Sequence, residues 1–201
     1  MEITEPFNPL HKKHLGSSVA EAMLAKPVEP LPPEKPFRGA GIYAIYYMGD
    51  FPAYKPIADK NKNNKFGCPI YIGKAVRKGA RKGDFSLDAS PGSVLYQRLR
   101  NHGKSIERTH NLKLKDFRCR YLTVDDIWIP LGESLLIEMF APLWNKIVDG
   151  FGNNDPGSGR YNQRVSSWDI LHPGRTWGSK LKSGRTAGEI MRAVEAHLKP
   201  N

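Results

Sequence analysis

Two short runs of β-branched and aromatic residues constrain this chain more than any other feature. The first is Gly41-Ile42-Tyr43-Ala44-Ile45-Tyr46-Tyr47 and the second is Pro69-Ile70-Tyr71-Ile72-Gly73-Lys74, with Gly, Pro, Asp and Asn around them. Their composition reads as two strands of one hairpin. Side chains alternate between the faces of a strand, so the isoleucine beside each tyrosine points the other way. The isoleucines can therefore enter a core while Tyr43 and Tyr71 share the opposite face. Residues 48–68 between the runs are more than a tight hairpin needs. They hold Gly49-Asp50, prolines and the polar run Lys60-Asn61-Lys62-Asn63-Asn64-Lys65, and they read as a long inserted loop.

The rest of the chain is punctuated clearly. Residues 1–37 form an arm, with a short helix over His14 to Ala25 and then Pro27, Pro30, Pro32, Pro33 and Pro36 as an extended connector. Ser90-Pro91 starts a helix, with Leu95, Leu99, His102 and Ile106 as one stripe and Gly103 as a break or kink. Arg98 and His102 are four apart and share a face. Phe117 to Val124 alternates as a third strand, with Arg118 and Arg120 on its exposed side. A second helix opens at Ile129-Pro130 and ends near Pro142. Glu133 projects from the same side as Leu136, Ile137 and Phe140. Asn145 follows, then a glycine-rich stretch from Asp149 to Gly159 suited to close backbone approach or tight packing. A final amphipathic helix covers about Thr186 to Leu198.

Charge narrows the partners. The chain has 201 residues, 39% of them hydrophobic, and a formal net charge of +11. That balance supports a real core and favours a polyanionic partner, whose phosphates the cations would neutralise. The cations cluster: Lys74, Arg77, Lys78, Arg81 and Lys82 follow the second strand, and Arg98, Arg100, Lys104 and Arg108 continue along the next helix. Few acids accompany them, unlike a solvated salt-bridged face. No apolar run approaches the roughly 20 residues needed to cross a bilayer, and the amino terminus lacks a signal-peptide pattern. Cys68 and Cys119 have no metal-type spacing and read as small apolar residues in a reduced cytoplasm.

The two tyrosine strands, Arg98, His102, Glu133 and Asn145 in Pro142-Leu143-Trp144-Asn145 occur in the order found in the GIY-YIG nuclease superfamily, which the chain resembles. The resemblance is closest to the small type II restriction endonucleases of that superfamily that cut CCGCGG. It extends through Gly150-Phe151-Gly152-Asn153, Asp155-Pro156-Gly157 and His172-Pro173-Gly174-Arg175, and covers about residues 38 to 177. It implies an α+β GIY-YIG fold: a small three-stranded antiparallel sheet flanked by helices. Residues 38–148 would be the catalytic core, residues 1–37 the amino-terminal arm and residues 149–201 the carboxy-terminal extension.

The resemblance also implies roles. Tyr43 would position and deprotonate the attacking water, with Lys74 lowering its pKa and His102 accepting or relaying the proton. Arg98 would hold the scissile phosphate. Glu133 would be the single protein ligand of a Mg2+ ion, with Mn2+ able to substitute. Tyr71 would add a hydroxyl and Asn145 would support the site. Arg77, Lys78, Arg81, Lys62, Arg160, Arg164 and Arg175 are candidate DNA contacts. The implied enzyme is a Mg2+-dependent endonuclease of a restriction-modification system in the bacterial cytoplasm, cutting palindromic double-stranded DNA as a homodimer or tetramer. The competing readings are a homing or repair nuclease of the same superfamily, and a basic nucleic-acid-binding protein without catalysis.

Overall fold

The computed structural model describes residues 8, 11–77, 92–182 and 184–199. Its centre is an antiparallel sheet in the order β1-β4-β2-β3, formed by β1 (Glu29–Pro30), β2 (Gly41–Tyr47), β3 (Pro69–Ala75) and β4 (Phe117–Thr123). The hairpin of the two tyrosine strands is present, with Tyr43 opposite Gly73 and Ile45 opposite Tyr71. β2 also pairs with β4, placing Tyr43 opposite Tyr121. The sheet has one strand more than the three expected. Glu29 and Pro30, from the proline connector, pair with Cys119 and Arg118 of β4. An extended connector already has strand-like backbone, and an edge is where a sheet tolerates proline.

Both faces of the sheet are covered. Ile42, Ala44, Tyr46 and Ile72 pack under α1 (Lys12–Leu24) and α4 (Ile129–Phe140), with Ala20, Met23, Ile129 and Leu136. Tyr43, Ile45 and Tyr47 point the other way, into a larger core. Leu95, Leu99 and Ile106 of α3 (Val94–Glu107), Trp144 of α5 (Leu143–Lys146), Trp168 of α6 (Ser167–Leu171) and Ile190 and Val194 of α7 (Ala187–Leu198) meet them there. The alternation sorts the side chains of β2 and places Ile72 on the other face from Tyr71 as expected, but beside a register shift in the hairpin Ile70 joins the core on the tyrosine side, and the tyrosine face of β2 is buried as deeply as the other face. Each large side chain enclosed this way is worth about 1.5–3 kcal/mol.

Residues 48–68 are not a loop. Pro52–Tyr54 form a 3-10 turn and Lys55–Asn61 form α2, with Tyr54, Ile57 and Ala58 buried. Asn61 is fully buried; its amide donates to the carbonyls of Tyr47 and Cys68 and accepts from the Cys68 N–H. It ties the end of β2 to the start of β3. The residue that makes the segment compact is thus a polar one inside a run of lysines and asparagines. Two further expectations need correction. α3 continues through Gly103 to Glu107, because burying Leu99 and Ile106 outweighs the cost of about 1 kcal/mol for a helical glycine. Arg120 is not free on an exposed face: it donates to Tyr46 Oη at 3.1 Å and to the Lys26 carbonyl at 3.0 Å. Ser90-Pro91 lies outside the described residues.

α1 of the arm packs on α4, with Gly16 against Leu135 and Val19 against Gly132. α7 starts with a capping box between Thr186 and Glu189, a device that satisfies two otherwise orphaned N–H groups. Both cysteine thiols are free. No described helix is long and apolar enough to cross a membrane.

Candidate active site

The site forms where the tyrosine face of the hairpin meets α3. Tyr43 projects from the middle strand onto the helix turn that carries Arg98 and His102. Its hydroxyl lies 2.6 Å from His102 Nε2, and Arg98 Nε points at the same oxygen across a long 3.4 Å contact. Arg98 can only donate. The phenol oxygen therefore accepts from the guanidinium, leaving its own proton directed at the imidazole. Tyr71 closes the cluster, with its ring centroid 6.2 Å from Tyr43 and 5.4 Å from His102.

Two glycines make this packing possible. A Cβ at Gly73 would overlap the Tyr43 hydroxyl. A Cβ at Gly152 would stand 2.7 Å from the Tyr71 hydroxyl and 3.0 Å from Arg98 Nη2. Gly152 also supplies the carbonyl that accepts from Arg98 Nη2 at 2.9 Å. Its neighbour Phe151 stacks on the His102 ring, 4.4 Å between centroids and 17° from parallel.

Burial dominates the electrostatics. It raises the Tyr43 pKa well above the usual phenol value, the neighbouring Tyr71 adds to this, and Arg98 opposes it. Burial likewise raises Tyr71 and drives His102 well below the normal imidazole range, with Arg98 and Arg175 acting in the same direction. In the free protein the pair is thus a neutral phenol beside a neutral imidazole. The expected partnership of Lys74 with Tyr43 is not what forms. Lys74 lies opposite Ile42 in the hairpin, and its ammonium is 2.6 Å from Glu133 Oε2. The cation that acts on Tyr43 is Arg98.

Glu133 stands just past the first turn of α4, its side chain 17% exposed, close enough to Tyr43 and Tyr71 for its charge to oppose their ionisation. Among the described residues no group of three or more His, Cys, Asp or Glu side chains could hold a metal. The carboxylate beside the two tyrosines is that of Glu133. It suits a hard ion such as Mg2+, which keeps most of its waters and takes one or two carboxylates. The carboxylate already engages a cation here, the Lys74 ammonium. Asn145 acts one step back: its Oδ1 accepts from the Ile72 N–H and its Nδ2 donates to the Ile72 carbonyl, both at 2.8 Å. It reads the open edge of β3 as a further strand would, between Tyr71 and Gly73.

The candidate DNA contacts scatter more widely. Arg77 pairs with Asp126 at 2.7 Å and Lys62 with Asp59 at 2.7 Å. Arg160 is exposed and donates to the Pro156 carbonyl, and Arg164 is exposed beside the bridge to Lys182. Lys78 and Arg81 lie outside the described residues. Arg175 is a correction: its side chain is fully buried and pairs with Asp169, so it presents nothing to a ligand in this state. The same segment contains a buried chain missed in the sequence, in which His172 contacts Tyr54 Oη at 2.7 Å and Asn111 Oδ1 at 2.9 Å. Phe151 and Gly152 also went unassigned, although the glycine-rich stretch signalled close packing there.

A comparison with curated proteins gives no match. A family model described as the Eco29kI GIY-YIG domain matches residues 35–198, which spans β2, β3, β4, α3, α4 and every side chain of the cluster just described. The chain therefore belongs to the Eco29kI family of GIY-YIG restriction-type nucleases.

Proposed function

We propose that this protein is a type II restriction endonuclease that hydrolyses both strands of duplex DNA at CCGCGG, as a homodimer, with Mg2+ or Mn2+ bound at Glu133. The observation that carries the reading is the pairing of Tyr43 Oη with His102 Nε2 at 2.6 Å beside the Arg98 guanidinium. Basic partners do not need a buried phenol-imidazole pair to bind DNA; proton transfer does.

A phenol held well above its normal pKa is a poor free base, so the proton path runs through two groups. As water attacks phosphorus, Tyr43 Oη takes the water proton while its own proton passes to His102 Nε2. The tyrosine ends neutral and the imidazole ends charged. Burial and Arg98 oppose that charge in the free protein, and the developing negative charge on the phosphoryl oxygens favours it. Arg98 suits the scissile phosphate because a guanidinium can give two parallel hydrogen bonds. Mg2+ at Glu133 would supply a positive charge for the phosphate and leaving oxygens. On this reading Lys74 keeps the Glu133 carboxylate paired until the ion arrives. A two-fold dimer would bring one such site to each strand of a palindrome.

The experiment is digestion of plasmid and phage DNA by the purified protein with Mg2+, followed by mapping of the ends. Discrete fragments with both ends in CCGCGG are expected. A mobility shift without cutting, or a smear of random ends, would refute the reading.

A further inference from the structure

The loop between α5 and α6 touches Tyr71, Arg98 and His102 of the site, and within residues 150–153 its backbone makes one hydrogen bond, from the Asn153 N–H to the Gly150 carbonyl at 3.0 Å. Gly150 sits at φ = 100°, and Gly150 and Gly152 flank Phe151. Even so, Phe151 must keep its ring on His102 and Gly152 must keep its carbonyl on Arg98 Nη2. The source of order lies behind the loop. Arg175 Nη2 donates to the Gly150 carbonyl at 2.9 Å, and its Nη1 donates to Phe151 at 3.2 Å and Asn153 at 3.1 Å. The two remaining N–H groups fork onto Asp169, at 2.6 Å from Nε and 2.7 Å from Nη2. A guanidinium has five N–H donors, and all five are used inside the protein. The group is 0% exposed, with Asp169 at 4%, and Trp168 and Trp177 cover it at 4.4 and 4.9 Å.

We infer that Arg175, held by Asp169, is a positioning residue that sets the loop 150–153 and through it the places of Arg98 and His102. A buried ion pair is weak evidence of stability in itself, because desolvation consumes most of the attraction. What this one provides is geometry: three carbonyls of a flexible loop are fixed from one rigid fork. Lysine would keep the charge on Asp169 but has no planar fork to span the carbonyls. The catalytic part of this role presupposes the nuclease chemistry proposed above; the geometric part does not.

The test compares wild type, Arg175→Lys and the double variant Asp169→Leu/Arg175→Met, which replaces the pair by apolar groups and leaves no buried charge unpaired. The DNA-free protein is read by guanidinium NMR on 15N-arginine, with Arg98 signals assigned by their loss in Arg98→Lys. Single-turnover cleavage of a CCGCGG duplex in Mg2+ and the duplex Kd without metal are measured alongside. Both variants should lose the protected Arg98 signals and slow cleavage about 100-fold, the scale of a misplacement of about 1 Å, with Kd within about threefold. Ile190→Ala, which destabilises the core at α7, should keep the Arg98 signals and cleave within about threefold of wild type. Wild-type Arg98 signals and rates in either folded clamp variant would overturn the inference, as would an equal slowing in Ile190→Ala. If the wild type cuts no DNA, the nuclease reading fails while the Arg98 spectra still decide the clamp.

Discussion

Replacing Asn145 tests how the edge of the hairpin is held. Its carboxamide closes a two-bond pair with the backbone of Ile72, a residue with no exposed surface. Asn145→Ala removes both bonds and leaves a buried N–H and C=O unpartnered, each costing about 1–3 kcal/mol; partial relaxation of an edge strand puts the sum at about 3 kcal/mol. For a chain of this size about 1 kcal/mol shifts Tm by about 2–4 °C, so thermal unfolding followed by circular dichroism should show a loss of about 6–12 °C. Asn145→Asp is more diagnostic. It keeps the acceptor for the Ile72 N–H but turns an oxygen toward the Ile72 carbonyl. Protonation of that oxygen restores a donor, so the Tm gap to wild type should be wide at pH 7 and narrow as pH falls. A loss under about 1 °C for the alanine variant, or a gap for the aspartate variant that ignores pH, would show that Asn145 does not hold the strand.

Glu133→Ala should leave the duplex Kd within about threefold and reduce cleavage by at least about 10³-fold, a loss typical of removing a group that acts on transition-state charge; near-normal cutting would remove Glu133 from the chemistry. Arg98→Ala should lower the single-turnover rate by about 10²–10³-fold with a small change in Tm, whereas gross unfolding would make it a structural residue. Stability should also fall with acid. His172 is buried against Tyr54 and Asn111, and burial lowers its pKa to about 3, below the unfolded value of about 6.5. The unfolded state therefore binds the extra proton between those values, so the stabilisation is complete above about pH 6.5 and is lost as pH falls toward 3. From pH 7 to pH 5 the loss is about 2 kcal/mol for this group, and His102 adds to it in the same direction. Urea titrations of wild type and His172→Gln should show a flatter pH dependence in the variant; parallel curves would contradict the assignment.

Much of this could be read from the sequence, for identifiable reasons. The tyrosine strands, the Leu95-Leu99-His102-Ile106 stripe and the side of α4 that carries Glu133 follow from periodicity, which depends only on local backbone geometry. The convergence of Tyr43, Tyr71, Arg98 and His102 followed from the family resemblance. What escaped detection was polar and set by tertiary contacts. Asn61 and Arg175 look like surface residues by type, and nothing local marks them as buried. Each becomes a core element because backbone carbonyls outside its own element complete its hydrogen bonds, those of Tyr47 and Cys68 for Asn61 and those of Gly150, Phe151 and Asn153 for Arg175. The pairing of Lys74 with Glu133 rather than with Tyr43 likewise depends on where α4 docks. Lys74 points with Ile42 toward α4, while Tyr43 points toward α3.

Single-turnover cleavage of a CCGCGG duplex by Tyr43→Phe bears most directly on the proposed proton path. The substitution removes one oxygen, the one shared by His102 Nε2 and Arg98 Nε, and keeps the ring that fills the core. With wild type cutting in Mg2+, a rate lower by about 10³-fold or more, at a duplex Kd within about threefold and a retained unfolding transition, is the predicted result. Cleavage by the variant at close to the wild-type rate would contradict the account, because the phenol would then be a core side chain and the water would be activated elsewhere.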